Sequence, residues 1–241
     1  VVDDDTDSNN DLQSENNGTV TITVNPINDI PILDFVDDFS FDEDEEDEAN
    51  RTFTVTATDV DTIDELSFLC NNLEPNLQCS ATLVNSDPSQ GEATITLTSP
   101  LNYNGQEQVD IIVLDGNADD NQIIQITVNP VNDAPVVPET IDETTPEDTE
   151  YIFMFQGSDV DGDALTYTLL TQTDEAAGLI VNNNDGTATF TPADDYNGDA
   201  IFTYKANDGA LDSQNPESGD PTFTTVTITV NPDNDAPVLE A

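Results

Sequence analysis

The sequence of 241 residues contains no histidine and no tryptophan, and Arg51 and Lys205 are its only strong bases. Without histidine, neither a Ser-His-Asp nor a Cys-His catalytic arrangement can form. Two isolated bases leave little with which to stabilise an oxyanion or a phosphate. The absence of tryptophan removes the residue that most often stacks on sugar rings. These absences argue against an enzyme.

Positive charge is the second thing that the sequence lacks. Against two bases stand 52 acidic residues, which gives a formal net charge of −50. With no cationic patch, the chain has no footprint for nucleic acid or for an anionic membrane surface. No apolar run approaches membrane-spanning length and no signal peptide is present, so we expect no direct membrane insertion. Repulsion among the carboxylates opposes compaction, so either cations neutralise the acidic clusters or the chain stays expanded.

Cysteine is scarce as well, with only Cys70 and Cys79. The intervening residues 71–76 can form a turn, so a local disulfide is expected in an oxidising compartment. The alternative is a pair of free buried thiols. Zinc would need further cysteine or histidine ligands, which the chain does not have.

What the sequence does contain is a repeated phrase, Asn-Pro-x-Asn-Asp-x-Pro, which begins at Asn25, Asn129 and Asn231. The interval is about the length of one ordinary domain, so each copy can have its own core. We therefore divide the chain into the C-terminal part of an incomplete repeat (1–30), two complete repeats (31–134 and 135–236) and the start of another (237–241). This division predicts that the chain is a piece of a longer protein whose targeting signals lie elsewhere.

Alternating apolar and polar residues predict β-strands throughout both repeats. Each phrase follows such a segment, at 20–24, 124–128 and 226–230. Phe53, Val55 and Ala57 alternate with threonines, and 202–206 repeats the pattern in the second repeat. No helical period occurs, and about seven short strands per repeat predict an all-β fold of tandem Greek-key β-sandwiches.

The acidic and amide residues keep register between the repeats. Glu43-Asp44 corresponds to Glu147-Asp148, Asp59-Val60-Asp61 to Asp159-Val160-Asp161, residues 101–105 to 194–198, and Asp115 to Asp208. With the linker phrase, these positions resemble cadherin-like domains of the kind found in tandem arrays in large bacterial surface proteins. The resemblance covers nearly the whole chain. One difference is that Pro26, Pro130 and Pro232 replace the first aspartate of the cadherin linker. This difference implies that fewer calcium ions bind, or that they bind more weakly.

The resemblance implies calcium-binding linkers between the sandwiches, because Ca²⁺ takes about six to eight oxygen ligands and no single loop here offers that many. The complete junction would lie between the two full repeats. Its expected ligands are Glu43, Asn102, Asn104, Asn132, Asp133, Asp159, Asp161 and Asp208. The equivalent positions are Asn28, Asp29, Asp59, Asp61 and Asp115 in the first repeat and the linker phrase before it, and Glu147, Asp195, Asn197, Asn234 and Asp235 in the second repeat and the linker phrase after it.

Two further acidic segments, 42–48 and 159–163, differ in what they predict. Within the acidic run 42–48, only Glu43 is expected to bind metal, by register with Glu147, and the rest is expected to be a solvated loop. The segment 159–163 resembles the start of an EF-hand loop, but no glutamate stands at the twelfth position and no flanking helices are predicted, so an EF-hand is rejected. Asp163 has no acidic counterpart in the first repeat, and its role is left open.

Two functions from different classes are consistent with these observations. The favoured one is a calcium-rigidified extracellular spacer or stalk of a large bacterial adhesin or surface fibre, whose partners are the neighbouring repeats. The alternative is a recognition module that binds a polysaccharide or a like domain, including other copies in a fibre. A cluster of exposed aromatic side chains beside a calcium site would favour the second. Either protein would be secreted or held at the cell surface.

Residues 1–30 are not expected to form a domain alone, because they hold the late Asp5 and the last strand but lack the Asp-x-Asp motif. The apolar face of the segment 20–24 needs a partner sheet. We therefore expect this strand either to pack on another chain's sheet or to remain an incomplete edge.

Overall fold

A computed structural model describes residues 21–25, 27–61, 65–215 and 219–234. The described residues form two β-sandwiches, each with a separate hydrophobic core. The only described helix is a 3₁₀ turn, Glu48–Arg51, and no described helix is long and apolar enough to cross a membrane. The all-β prediction is therefore confirmed.

The first sandwich contains eight described strands in two four-stranded sheets. They are β1 (Ile32–Leu33), β2 (Phe39–Asp42), β3 (Thr52–Thr58), β4 (Ser67–Asn72), β5 (Gln78–Asn85), β6 (Gly91–Thr98), β7 (Gly105–Leu114) and β8 (Asp119–Asn129). One sheet has the order β1-β3-β6-β5 and the other β2-β8-β7-β4. The chain passes from one sheet to the other at every connection except the β5–β6 and β7–β8 hairpins, an alternation that is typical of a Greek-key sandwich.

The second sandwich repeats this architecture with seven described strands. They are β9 (Thr140–Pro146), β10 (Tyr151–Met154), β11 (Thr166–Thr171), β12 (Gly178–Asn182), β13 (Thr187–Pro192), β14 (Gly198–Asn207) and β15 (Thr224–Asn231). Its sheets have the orders β10-β13-β12 and β11-β14-β15-β9. Asn184, Asp185 and Gly186 lie in the short connection between the paired strands β12 and β13.

In each sandwich an early strand pairs in parallel with the last strand. β2 runs beside β8, with Phe39 opposite Ile126, and β9 runs beside β15, with Thr140 opposite Thr225. All other strand pairs are antiparallel. The chain therefore enters each sandwich at one end, which we call its head, and leaves at the other, which we call its foot.

The cores contain the inward residues that strand alternation predicts. Val55, Ile95 and Ile111 are buried in the first core, and Phe153 and Phe202 in the second. Phe153 and Phe202 meet edge to face, with ring centroids 5.3 Å apart. Burial of such aliphatic and aromatic side chains is the main term that stabilises each sandwich.

One predicted strand is wrong. Residues 21–25 are not in a strand, and Ile22 and Val24 are 81% and 85% exposed. Apolar and polar residues do alternate in this segment, but a strand needs a neighbouring sheet to complete its hydrogen bonds. None of the described residues offers such a sheet here. Val20, and with it Asp5, lies outside the described residues.

Candidate metal centre

The linker that follows β8 is fixed by side chains of the second sandwich. The Asn132 Nδ2 amide donates to Asp208 Oδ2 at 2.9 Å, and the Asp133 backbone N–H donates to Asp161 Oδ2 at 2.8 Å. Asp208 is itself held, because its Oδ1 accepts backbone N–H groups from Ala210 and Leu211, each at 2.6 Å. These hydrogen bonds lower the pKa of Asp208, first through Leu211 and then through Asn132. Asp208 therefore stays ionised and ready to face a cation.

The Asp-x-Asp segment beyond β10 gathers carboxylates beside this linker. Oδ1 of Asp159 accepts the backbone N–H groups of Asp161 at 2.9 Å and of Asp163 at 3.3 Å. One oxygen from each of these three aspartates lies within 4.8 Å of the others. Oxygen ligands at such separations fit a hard cation of the size of Ca²⁺, with each oxygen about 2.3–2.6 Å from the ion.

The foot of the first sandwich supplies the opposite side of the junction. Glu43 is 3% exposed, and its Oε1 accepts the backbone N–H of Val131 at 2.8 Å. The Asn104 Nδ2 amide lies 3.3 Å from both Glu43 oxygens. Asp44 Oδ1 accepts the backbone N–H of Asn102 at 2.8 Å. Asp44 and Asn102 both have positive φ, 57° and 55°, a conformation that aspartate and asparagine tolerate better than most residues.

Negative charge accumulates at the junction without a protein cation to balance it. The pKa of Asp133 is raised, first by burial and then by Asp44, Asp161, Glu43 and Asp159. Asp133 Oδ2 and Asp159 Oδ2 are inaccessible to solvent and accept no hydrogen bond. The two bases are engaged elsewhere, since Lys205 pairs with Asp212 and Arg51 Nη1 donates to the Leu97 carbonyl.

A cavity of about 620 Å³ lies between the two sandwiches at this point. Asp44 and Asn102 from the first sandwich line it together with Asp133 from the linker and Asp159 from the second. Buried oxygens without partners are costly unless a ligand satisfies them. The donor set is entirely oxygen, which is the chemistry that Ca²⁺ prefers, so the residues fit the ion that the sequence suggests.

The head of the first sandwich has the same geometry as the head of the second. The Asn28 Nδ2 amide donates to Asp115 Oδ2 at 2.9 Å, and the Asp29 N–H donates to Asp61 Oδ2 at 2.7 Å. Asp59 is 9% exposed, and its Oδ2 has no hydrogen-bond partner. The pKa of Asp115 is lowered, first by the backbone N–H of Ala118 and then by that of Asn117. The expected set Asn28, Asp29, Asp59, Asp61 and Asp115 is therefore brought together.

The foot of the second sandwich repeats the foot of the first only in part. Buried Glu147 accepts the backbone N–H of Asp233 at 2.6 Å, and Asp148 accepts that of Asp195 at 3.1 Å. Asp148 and Asp195 again have positive φ, 55° and 56°. Asn197 and Asn234 are exposed on the described surface, and Asp235 lies outside the described residues.

Sequence reasoning missed three of the residues that shape these sites. Asp44 and Asp148 orient the loops that carry Asn102 and Asp195, and their identical spacing from Glu43 and Glu147 was the available signal. Asn117 also lies at the head of the first sandwich, where its Nδ2 donates to Asn28 Oδ1 at 3.0 Å. Asp163, whose role the sequence left open, joins Asp159 and Asp161 in the carboxylate cluster.

Comparison with solved structures gives the fold an independent basis. The EC1-2 fragment of human protocadherin-24 has a similar structure, with a TM-score of 0.52 and 16% sequence identity. The aligned region covers 82% of this chain and 95% of the fragment. Drosophila N-cadherin EC1-4 matches 80% of the chain over 48% of its own, with a TM-score of 0.45 and 17% identity. At 16% identity the likeness to the protocadherin fragment shows the fold alone, and the N-cadherin match, with its TM-score of 0.45, supports no argument.

An endo-fucoidan hydrolase of glycoside hydrolase family 107 also matches, at 19% identity over 88% of this chain. The chain spans only 30% of the length of that hydrolase, and the TM-score of 0.33 supports no argument about its reaction. None of the curated proteins matches the sequence. Residues 131–231 match the family model of the cadherin-like domain. Residues 131–231 of this chain, which comprise the second sandwich and the linker before it, are therefore a cadherin-like domain.

Proposed function

We propose that the chain is a calcium-stiffened extracellular spacer, a segment of a stalk in which Ca²⁺ ions fix each sandwich to the next. In this role the chain has no catalytic activity. Its partners are the neighbouring repeats of a larger bacterial adhesin or surface fibre. Each sandwich extends the chain, and the calcium-filled linkers set the angle between sandwiches.

The observation that carries this proposal is the pair of unsatisfied oxygens at the junction. Asp133 Oδ2 and Asp159 Oδ2 are shielded from water and accept no hydrogen bond. The pKa of Asp133 is raised, first by burial and then by the surrounding carboxylates. A divalent cation would satisfy both oxygens and cancel the repulsion. Because the linker, the foot of one sandwich and the head of the next all contribute oxygens, such an ion would also lock their relative orientation.

The calcium ligands that we propose for the junction come from three places. Glu43, with Asn102 and Asn104, lies on the foot of the first sandwich; Asn132 and Asp133 lie in the linker; Asp159, Asp161 and Asp208 lie on the head of the second. The charged residues supply the strong ligands, and the asparagines supply amide oxygens. Asn132 donates its amide nitrogen to Asp208, which leaves its carbonyl oxygen available for a cation.

The recognition module is the weaker candidate because the tyrosines beside the sites are used inside the fold. The Tyr103 hydroxyl donates to Glu107, and the Tyr196 hydroxyl donates to the Asp199 carbonyl at 2.9 Å. Among the described aromatic residues, Phe35 and Phe223 are the large exposed ones, and they lie far apart in sequence. A cluster of exposed aromatics next to a calcium site is not found in the described part of the chain.

Small-angle X-ray scattering of the chain in calcium and in chelator tests the proposal. With calcium we expect a fixed, elongated particle; in EDTA the unbalanced carboxylates should let the sandwiches swing and broaden the pair-distance distribution. Sodium chloride at matched ionic strength is the control, because simple screening weakens repulsion without bridging the two sandwiches. Identical particle dimensions in calcium and in EDTA would refute the proposal, and an equal effect of sodium chloride would assign the change to screening.

A further inference from the structure

Glu107 is a buried carboxylate that the calcium junction does not use directly. It lies near the start of β7 and is 4% exposed. The position that corresponds to it in the second repeat, by the same register that aligns Asp115 with Asp208, is Ala200, which is also buried. A carboxylate in place of a methyl group inside a core is costly, so its presence in one repeat calls for a physical reason.

The hydrogen bonds of Glu107 lead to the loop that carries two of the proposed ligands. Its Oε1 accepts a hydrogen bond from the Tyr103 hydroxyl. Tyr103 stands between Asn102, whose backbone N–H donates to Asp44, and Asn104, whose amide contacts Glu43. Anchoring the Tyr103 ring from inside the sandwich therefore fixes the loop on both sides of it.

A second hydrogen bond links Glu107 to the loop that crosses from β4 in one sheet to β5 in the other, which a disulfide closes. The Asn76 Nδ2 amide, in this loop, donates to Glu107 Oε1 at 3.1 Å. Cys70 and Cys79 are joined by the disulfide, with their Cα atoms 5.6 Å apart. The loop is also tied to β7, because the Leu73 backbone N–H donates to the Gln108 carbonyl at 3.1 Å. The disulfide and this hydrogen bond therefore hold the loop from which Asn76 contacts Glu107.

The second repeat anchors the corresponding tyrosine, Tyr196, without a buried carboxylate. There the Tyr196 hydroxyl donates to the backbone carbonyl of Asp199, three residues away. Gly105 and Gly198 stand beside the two tyrosines, and a Cβ at these glycines would lie 2.9 Å and 3.0 Å from the respective hydroxyl oxygens. Both repeats therefore anchor a tyrosine hydroxyl at this position, whereas the connection through Glu107 to the disulfide-closed loop belongs to the first repeat only.

We propose that Glu107 is a positioning residue for the calcium junction, which it controls through Tyr103, with Asn76 holding Glu107 in place. This inference rests on the proposed function. Glu107 does not touch the ion; it limits the conformations of the loop that presents Asn102 and Asn104, so that less ordering is needed when calcium binds. The first sandwich therefore offers a pre-organised ligand loop, and its disulfide-closed loop between β4 and β5 contributes to calcium affinity from a distance.

The test compares Tyr103→Phe, Glu107→Gln and Asn76→Ala with Tyr196→Phe as the matched control in the second repeat. Calcium chloride is titrated into the isotope-labelled chain. The backbone amide resonance of Asp133 reports the junction, and that of Asp61 reports the head of the first sandwich. Groups that orient metal ligands typically change affinity by about tenfold or more, so we expect about tenfold weaker binding at Asp133 for Tyr103→Phe and Glu107→Gln. Asn76→Ala should act in the same direction, and binding at Asp61 should not change.

Thermal melting in EDTA separates positioning from general stability. A residue with only a structural role would lower the melting temperature in EDTA without changing the apparent calcium affinity at Asp133. Wild-type-like affinity at Asp133 in both Tyr103→Phe and Asn76→Ala would overturn the inference, even if Glu107→Gln failed to fold. A loss equal to theirs in Tyr196→Phe would overturn it too. Failure of the wild-type chain to bind calcium at either reporter would instead refute the proposed function.

Discussion

Asp159 is the residue whose replacement tests the proposed junction most directly. Its Oδ1 orders the segment 161–163 through two backbone hydrogen bonds, and its Oδ2 has no partner. We expect Asp159→Ala to weaken calcium binding at the junction and to leave both sandwiches folded. The second core does not depend on Asp159, because it is formed by buried residues such as Phe153 and Phe202.

The expected loss of calcium affinity can be bounded from the effect of losing a group that orients a metal ligand. Loss of a group that merely orients a metal ligand weakens metal binding about 10- to 100-fold, so loss of a ligand should cost at least as much. This corresponds to about 1.4–2.8 kcal/mol or more of binding free energy. In EDTA the effect should be small, because the lost hydrogen bonds are opposed by relief of repulsion with Asp133.

The calcium-bound and calcium-free states should respond differently to Asp159→Ala, and this difference can be measured. At a calcium concentration of about 100 times the dissociation constant, a bound ion stabilises the folded chain by about 2.7 kcal/mol, and a 100-fold loss of affinity would reduce this to about 0.4 kcal/mol. Calorimetric titration gives the affinity and stoichiometry, and circular dichroism checks the strand content. Asp142→Ala, which removes one exposed carboxylate from β9, is the charge-matched control. Unchanged stoichiometry and affinity in Asp159→Ala would refute the assignment.

The remaining predictions concern the disulfide, the electrostatics of the linker and the second core. Replacing Cys70 and Cys79 with serine should destabilise the first sandwich by about 2–3 kcal/mol in the chain-entropy model, and intact mass after alkylation without reductant should show no free thiol in the wild-type protein. Because the pKa of Asp133 is raised in the folded protein, protonation of Asp133 stabilises the folded linker in EDTA. This stabilisation is fully present below the pKa of the unfolded chain and is lost as pH rises through the raised pKa of the folded state. Asp133→Asn should therefore reduce the dependence of the melting temperature on pH. Tyr204→Phe should destabilise the second sandwich by about 1–3 kcal/mol, because its buried hydroxyl donates to the Gln156 carbonyl at 2.9 Å and accepts the Gln156 N–H at 3.1 Å. An unchanged denaturation midpoint in Tyr204→Phe would contradict that reasoning.

The sequence predicted the parts of the molecule that depend on periodicity and register. Strand alternation placed Val55, Ala57 and Phe202 in the cores, because a period of two assigns side chains to faces without reference to distant residues. The register between repeats identified Glu43 and Glu147, and the structure places them in equivalent positions.

What the sequence could not provide depends on contacts between distant segments. The alternation at 21–24 looked like a strand, but alternation alone does not reveal whether a partner sheet is present. Asp44 was hidden in an acidic run that resembles a solvated loop, and its role depends on a positive φ and on the backbone of Asn102. Glu107 occupies an inward position between Gln106 and Gln108, a conflict that the sequence contained but that only the Tyr103 and Asn76 contacts explain.

The parallel pairing of β9 with β15, and of β2 with β8, determines how a pulling force would act on the molecule. If tension is applied along the chain, the start of β9 and the end of β15 are drawn in opposite directions, so their backbone hydrogen bonds are sheared together and are not opened one at a time. Seven residues of β9 are paired with β15, from Thr140 to Pro146, whereas four residues of β2 are paired with β8, from Phe39 to Asp42. We therefore expect the second sandwich to be the mechanically stronger of the two, with the first yielding at lower force in a single-molecule stretching experiment.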